Sequence, residues 1–316
     1  MSRILFIKTS SLGDVIHHCP AVSEAARHFP GAVIDWVVEE AFAEVPLLHR
    51  AVRRAIPVAI RRWRAALWRP AVWAEIAAFR RALRAERYDA VIDAQGLLKS
   101  ALLCRLATGR RHGPDRASAR EPLAALFYEA RHRVPRELHA VARNRRLTAA
   151  ALGYAAGGLC DYGLRVEGAA PIAPRAPFAV LLTMTSRADK LWPEPDWIAL
   201  GSWLAARGVQ CVLPWGAPAE RERCERIARG IGEALVPERM TLTGLACLMR
   251  AACAVVGVDT GLVHFGVALG VPALGLYCGS DPGQTGLYGG PRVKNLGGIG
   301  APPSAAEAQR ALAELL

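Results

Sequence analysis

A short apolar run, a glycine-bearing loop, then apolar residues at helical spacing: this unit recurs along the chain and leaves few folds open. "ILFIK" leads through "TSSLGD" into "VIHHCPAVSEAARHF", and "CAVVGVD" leads directly into "TGLVHFGVALG". Uninterrupted apolar runs suit strands buried on both faces, which is the habit of parallel sheets. Helices between such strands supply the crossovers that parallel pairing needs. The pattern therefore predicts an α/β chain of doubly wound parallel sheets. "AVIDWVVEE" and "DAVIDAQG" read as further strands of the first half, with "AEIAAFRRALRAERY" and "LLKSALLCRLA" as helices. "FAVLLTM", "VQCVLPW" and "PALGLYC" continue the strands in the second half.

The 316 residues suit two domains of about 150 residues each. The stretch "GYAAGGLCDYGLRVEGAAPIAPRAP" is rich in Gly, Pro and Ala and carries no helical period. The expected organisation is an N-terminal Rossmann-like domain at 1–155 and a linker at 156–177. A C-terminal Rossmann-like domain follows at 178–300, and a last helix at 301–316 opens on a serine N-cap. The two domains are expected to face across a cleft.

With 52% apolar and 22% charged residues the chain is globular and not disordered. No run approaches the ~18 apolar residues of a membrane span, and the N-terminus shows no secretory pattern, so a cytoplasmic protein is expected. The eight cysteines form no C-x-x-C pair, and the histidines lack metal spacing, so reduced buried thiols and no metal are expected. The net charge of +12 is not shared evenly. Residues 1–150 hold 26 Lys and Arg against 14 Asp and Glu, whereas residues 151–316 hold 14 of each. The excess is either an arginine-rich solvated surface or a half that meets an anionic partner.

Ligands of open α/β sheets bind beyond the carboxyl ends of the strands, which singles out three loops. In "TSSLGD", Gly13 permits a tight turn or close approach, and Asp14 enters the first turn of a helix. Asp14 suits the helix dipole there, and it equally suits a general base acting on a hydroxyl. In "VGVDTGLVHFGVALG", Asp259 ends a strand and Thr260-Gly261 open a helix, whose free N–H groups form an anion site. His264 lies on roughly the same face as Thr260. In "TMTSRADKLWPEPDW", Thr185, Ser186 and Lys190 offer hydroxyls and a cation to a phosphate. Glu220, in "PWGAPAERE", is either a helix-start glutamate or a partner for sugar hydroxyls. Arg61, Arg62, Arg64 and Arg69 interleave with Trp63 and Trp68, as at a surface for phosphates or nucleic acid, or on an amphipathic helix. No GxGxxG or GxxxxGK[ST] occurs, which argues against dinucleotide oxidoreductases and P-loop enzymes.

The segments "KTSSLGDVIH", "DWVVEE", "AIPVAIRRWR", "YDAVIDAQGLLKSA", "AREPLAALFY", "DKLWPE", "LPWGAP" and "VDTGLVH" together resemble the bacterial lipopolysaccharide heptosyltransferases of glycosyltransferase family 9. The likeness runs nearly end to end. It implies the GT-B fold and an inverting transfer of L-glycero-D-manno-heptose from ADP-heptose to a Kdo residue of Kdo2-lipid A. The nearest alternative is a sibling whose acceptor already carries heptose. Asp14 would be the base. Thr185, Ser186, Lys190, Thr260, Gly261 and His264 would hold the diphosphate and sugar. Asp259 and Glu220 would bond hydroxyls, and Met240 would pack near adenine. The acceptor would meet Arg61, Arg62, Arg64, Lys99, Arg120 and His139, with Ser10, Ser11 and Gly13 of the first loop. The resemblance further implies no metal, no cofactor beyond the donor substrate and no nucleic acid. It also implies a peripheral position on the cytoplasmic face of the inner membrane through the basic N-terminal domain.

Overall fold

A computed structural model describes residues 2–316. The chain forms two compact units that meet in sequence at Leu164 and Arg165. The first unit holds β1 (Arg3–Ile7), β2 (Val33–Glu39), β3 (Val52–Val58), β4 (Arg87–Asp93), β5 (Thr108–Pro114) and β6 (Ala130–His132). They pair in the order β3-β2-β1-β4-β5-β6, and every pair is parallel. The second unit holds β7 (Phe178–Leu182), β8 (Gln210–Val212), β9 (Ala254–Val258), β10 (Ala273–Tyr277) and β11 (Val293–Gly297). Its order is β11-β10-β9-β7-β8, again all parallel.

The unbroken apolar runs explain the sheets. Leu5, Ile7, Val37 and Val91 are buried against Phe79, Leu83 and Leu103 from covering helices. In β7 and β9 every residue is buried. Each large aliphatic side chain so removed from water contributes about 1.5–3 kcal/mol.

Strand order decides where ligands go. In the first sheet the order reverses between β1 and β4, and in the second between β7 and β9. At such a switch point the crossovers leave on opposite faces of the sheet, and a crevice opens beyond the strand ends. The loops after β1 and β4, and those after β7 and β9, carry the residues singled out above.

The structure alters several local expectations. "VIHHCPAVSEAARHF" is not one helix but two, Leu12–Ile16 and Cys19–His28, because Pro20 opens the second. Strands β5, β6 and β11 and the helix Ala140–Leu152 were not anticipated. β5, "TGRRHGP", is short of apolar residues and lies next to the sheet edge. The Gly- and Pro-rich stretch is divided between the units. Gly157 N–H donates to Glu24 at 2.6 Å and Asp161 pairs with Arg50, both within the first unit. Arg250 and Cys247 bond the carbonyls of Gly168 and Glu167 within the second. The last helix, Ala305–Ala313, buries Ala308, Ala311 and Leu312 in the core of the second unit. All eight cysteines are free, and six are buried.

Gly257 in β9 lets the helix Gly261–Ala268 lie close to the strand. A Cβ there would stand 2.9 Å from the Cβ of Val263 and 3.1 Å from that of Leu182. Gly257→Ala is expected to cost about 1–3 kcal/mol by overpacking. A thermal melt showing an unchanged midpoint would contradict this close-packing account.

Candidate active site

In the first unit, the loop after β1 is sewn to both neighbouring strands. Lys8 N–H donates to the Val37 carbonyl, Glu39 N–H to that of Thr9, and Ala94 N–H to that of Ile7. From β4 the buried Asp93 braces the other side. Its carboxylate accepts the Ser100 hydroxyl at 2.8 Å, the Tyr128 hydroxyl at 2.7 Å and the Gln95 and Gly96 N–H groups. The Gln95 side-chain oxygen then accepts the N–H groups of Thr9 and Ser10 at 3.2 and 3.3 Å. Burial raises the Asp93 pKa, and these donors work against the rise.

Asp14 emerges from this frame at the third position of its helix and accepts the Ser11 N–H at 3.2 Å. Arg120 makes a two-pronged contact with it, at 2.8 and 3.3 Å. Lys8 Nζ lies 3.5 Å from Asp14 Oδ1 and donates to the Ala94 carbonyl at 2.8 Å. Burial pushes the Asp14 pKa up. The charges of Lys8, Arg120 and His17 outweigh it and hold the carboxyl well below the usual range. Burial lowers the pKa of Lys8, and Asp14 offsets part of that. Asp14 thus stays ionised over the whole physiological range, with both oxygens engaged.

Other predicted acceptor residues gather on the same edge. Lys99 Nζ donates to Ser10 Oγ at 3.4 Å. His139 caps the helix Ala140–Leu152 by accepting the Val141 N–H, and its ring stands edge-on to His17 at 5.5 Å. Gly13 is buried within the Asp14 helix. Arg61, Arg62 and Arg64 lie on the short helix Ile60–Arg64 after β3. Arg62 is bound to Glu40 at 2.9 Å and to Glu75 at 2.8 Å, so it anchors that helix. Arg61 and Arg64 have exposed side chains with no acidic partner among the described residues.

In the second unit Asp259 ends β9 and organises a cluster. Lys190 Nζ and Ser280 Oγ each lie 2.6 Å from Asp259 Oδ2. His264 Nε2 is 3.9 Å from the other oxygen, which is ion-pair range and too long for a hydrogen bond. Thr185 Oγ1 donates to the Asp259 carbonyl at 2.9 Å, joining the loop after β7 to the loop after β9. Burial raises the Asp259 pKa, but His264, Lys190 and Ser280 together bring it well below the usual carboxylate value. Thr260 is the N-cap of the helix Gly261–Ala268, and its hydroxyl makes no capping bond. The first-turn N–H groups of that helix lack a side-chain cap and offer a partial positive charge beside Lys190.

Three predicted donor residues stand outside this cluster. Ser186 is exposed in the loop after β7. Met240 is half-buried before the helix Leu242–Ala251. Glu220 accepts the N–H groups of Gly216 and Ala217 at 2.7 and 3.1 Å, so it serves the helix start. Four further residues belong to these candidate sites without being singled out by the sequence: Lys8, Ser280 and the brace of Asp93 and Gln95. Lys8 directly follows the β1 apolar run, and a strand-end lysine at a switch point is a usable signal. Ser280 carries none, since its link to Asp259 exists only once β10 lies beside β9. Among the described residues, no cluster of three His, Cys, Asp or Glu side chains is placed to hold a metal ion.

Comparison with known proteins gives the family. The family model "Glycosyltransferase family 9 (heptosyltransferase)" matches residues 76–312. The chain is 49% identical over 290 residues to lipopolysaccharide heptosyltransferase 1 of Escherichia coli (strain K12), covering 91% of each chain. It is 50% identical to lipopolysaccharide heptosyltransferase 1 of Pseudomonas aeruginosa, covering 92% of this chain and 82% of that one. The solved structure of E. coli heptosyltransferase WaaC with ADP superposes with a TM-score of 0.92 at 44% identity, covering 99% of this chain and all of that one. The form with ADP-2-deoxy-2-fluoro heptose superposes at 0.88 with 43% identity, over the same shares. The two switch-point sites and these likenesses lead to one conclusion: the chain belongs to glycosyltransferase family 9, the heptosyltransferases.

Proposed function

We propose that the chain transfers L-glycero-D-manno-heptose from ADP-heptose to a Kdo residue of Kdo2-lipid A, with inversion at the anomeric carbon. The carrying observation is the pairing of an ionised carboxylate, Asp14, with acceptor-side cations in one unit, and a lysine with an open helix N-terminus in the other. The second unit takes the donor. Lys190 and the N–H groups after Thr260 meet the diphosphate and neutralise the charge that grows on ADP as it leaves. Asp259 holds Lys190 in place through its 2.6 Å bond. This charge neutralisation comes from the chain's own groups, so the reaction runs without a metal.

The first unit takes the acceptor. Arg120 is almost half exposed and only leans on Asp14, so an acceptor carboxylate competes for it. Drawing Arg120 away removes one of the cations that depress the Asp14 pKa and raises its basicity when the hydroxyl arrives. Asp14 then accepts the hydroxyl proton as the oxygen attacks the anomeric carbon and the bond to the diphosphate breaks. The acceptor is a membrane lipid, so the enzyme works at the bilayer surface as a peripheral protein. Among the described residues no helix is long and apolar enough to cross a membrane.

The deciding assay is ADP release from ADP-heptose with EDTA present, comparing Kdo2-lipid A with an acceptor that already carries heptose. Turnover on Kdo2-lipid A alone is the expected result. Preference for the heptosylated acceptor would move the chain to a sibling specificity, and loss of turnover in EDTA would overturn the metal-free reading.

A further inference from the structure

Most of the large apolar side chains that the first unit exposes lie on one group of its helices. Phe79 and Leu83 of the helix Pro70–Arg84, Ala101 and Leu103 of Leu98–Leu106, and Ala125 of the turn Pro122–Phe127 share one buried core. These three elements therefore cover the same face of the first sheet. Their outer sides, with the turn before Pro70, expose Leu67, Trp68, Trp73, Leu102, Leu123 and Leu126. Those six make up most of the ten large apolar side chains exposed among the described residues, and Trp68 is 75% exposed. The helices Cys19–His28 and Ala140–Leu152, which pack on each other elsewhere in the unit, expose none. Trp73 Nε1 donates to the Leu67 carbonyl at 2.8 Å, which ties its ring to the turn before Pro70.

Charge follows the same layer. Residues 60–84, 98–106 and 122–127 contain nine Lys and Arg against one acidic residue, Glu75. Glu75 is already taken by Arg62 and Trp63. Arg69, Arg80, Arg81 and Arg105 are exposed and have no acidic partner among the described residues. Exposed apolar side chains gathered on one layer call for a partner, and the arginines among them without acidic partners specify an anionic one. Tryptophan between arginine and aliphatic side chains is the composition that settles at a headgroup boundary. Leucines gain nothing from stacked bases and gain from burial in hydrocarbon, which separates this surface from a nucleic-acid groove.

We infer that this outer layer of the first unit is the face that docks on an anionic lipid bilayer, with Leu67, Trp68, Trp73, Leu102, Leu123 and Leu126 entering the interface and the arginines meeting lipid phosphates. The inference rests on the proposal that the acceptor is a membrane lipid. Lys99 lies on the same layer and reaches Ser10 beside Asp14, so docking by this face brings the lipid headgroup to the acceptor loops.

The test is sedimentation with vesicles of phosphatidylcholine, with and without phosphatidylglycerol. Wild type is compared with Trp68→Ser/Leu123→Ser/Leu126→Ser and with Arg69→Gln/Arg81→Gln/Arg105→Gln. Wild type is expected to pellet with the anionic vesicles, and each triple variant to lose about thirtyfold or more in partitioning. All substituted side chains are exposed, so melting temperature and turnover on a deacylated, water-soluble acceptor are expected to hold. Variants that pellet like wild type, wild type that ignores vesicles, or binding of an oligonucleotide through these residues in place of vesicles would each overturn the docking face. Wild type that binds vesicles through this face yet fails on the deacylated acceptor would instead sink the proposed reaction and leave the face standing.

Discussion

Asp14→Asn is expected to lower turnover by about 10²–10⁴-fold while donor binding stays near wild type, the range a positioned general base contributes. The variant keeps the shape of the side chain but cannot accept the proton. It also removes the negative charge between Lys8 and Arg120. Lys8 is buried, so stability is expected to fall by roughly 1–3 kcal/mol, and a melt must show that the protein is still folded at assay temperature. A companion variant separates chemistry from structure. Lys8→Met removes the cation that does most to depress the Asp14 pKa, so that pKa moves up toward its ordinary value near 4. The acid limb of the pH–rate profile is then expected at higher pH than in wild type, with the carboxylate still present. Undiminished turnover in Asp14→Asn would remove Asp14 as the base. An unmoved acid limb in Lys8→Met would remove Lys8 as the group that tunes it.

Lys190→Met is expected to reduce turnover by about 10²–10³-fold, because the leaving diphosphate loses its fixed cation. A second readout follows from linkage. Asp259 has a folded pKa well below its unfolded one, so its stabilisation is fully present above about pH 4 and is lost as pH falls through the folded value. Removing Lys190 takes away one of the partners that hold that pKa down. The Asp259 pKa then rises, and acid unfolding is expected to begin at higher pH than in wild type. Asp259→Asn is expected to abolish this contribution and to weaken donor binding, since Lys190 and Ser280 both lose their anchor. A calorimetric titration with ADP and an acid-unfolding curve check both effects. Wild-type turnover in Lys190→Met would show that the helix N-terminus alone carries the leaving charge.

Much of this was legible in the residues. Unbroken apolar runs of about five residues such as Phe178–Leu182, bounded by turn residues, suit strands buried on both sides, and their spacing leaves room for crossover helices. Asp14, Asp259 and Thr260 could be found because each sits where a strand hands over to a helix, a local event that the sequence spells out in order. The single helix expected from residue 15 onward failed at His17-His18, where apolar and histidine residues keep a helical rhythm although Pro20 opens a new helix. Helix Ala140–Leu152 was missed because five alanines and three arginines give little apolar period, and its burial comes from packing on the helix Cys19–His28. Glu220 is open in the sequence to two readings, a helix-start glutamate and a partner for sugar hydroxyls, and the structure shows the bonds of the first, to the Gly216 and Ala217 N–H groups.

The chain by itself determined the α/β class, the two-unit plan, the uneven charge and the strand-end loops proposed to carry the chemistry. All of these depend on neighbours in sequence or on residue type. Tertiary structure alone decided which partners those loops would have. Arg120 reaches Asp14 across 106 positions, Lys190 reaches Asp259 across 69, and Ser280 reaches it across 21. The pairings follow from strand order: β4 lies between β1 and β5, and β9 lies between β7 and β10. Strand order is set by which apolar faces bury together over the whole unit, a cooperative choice that no local window contains.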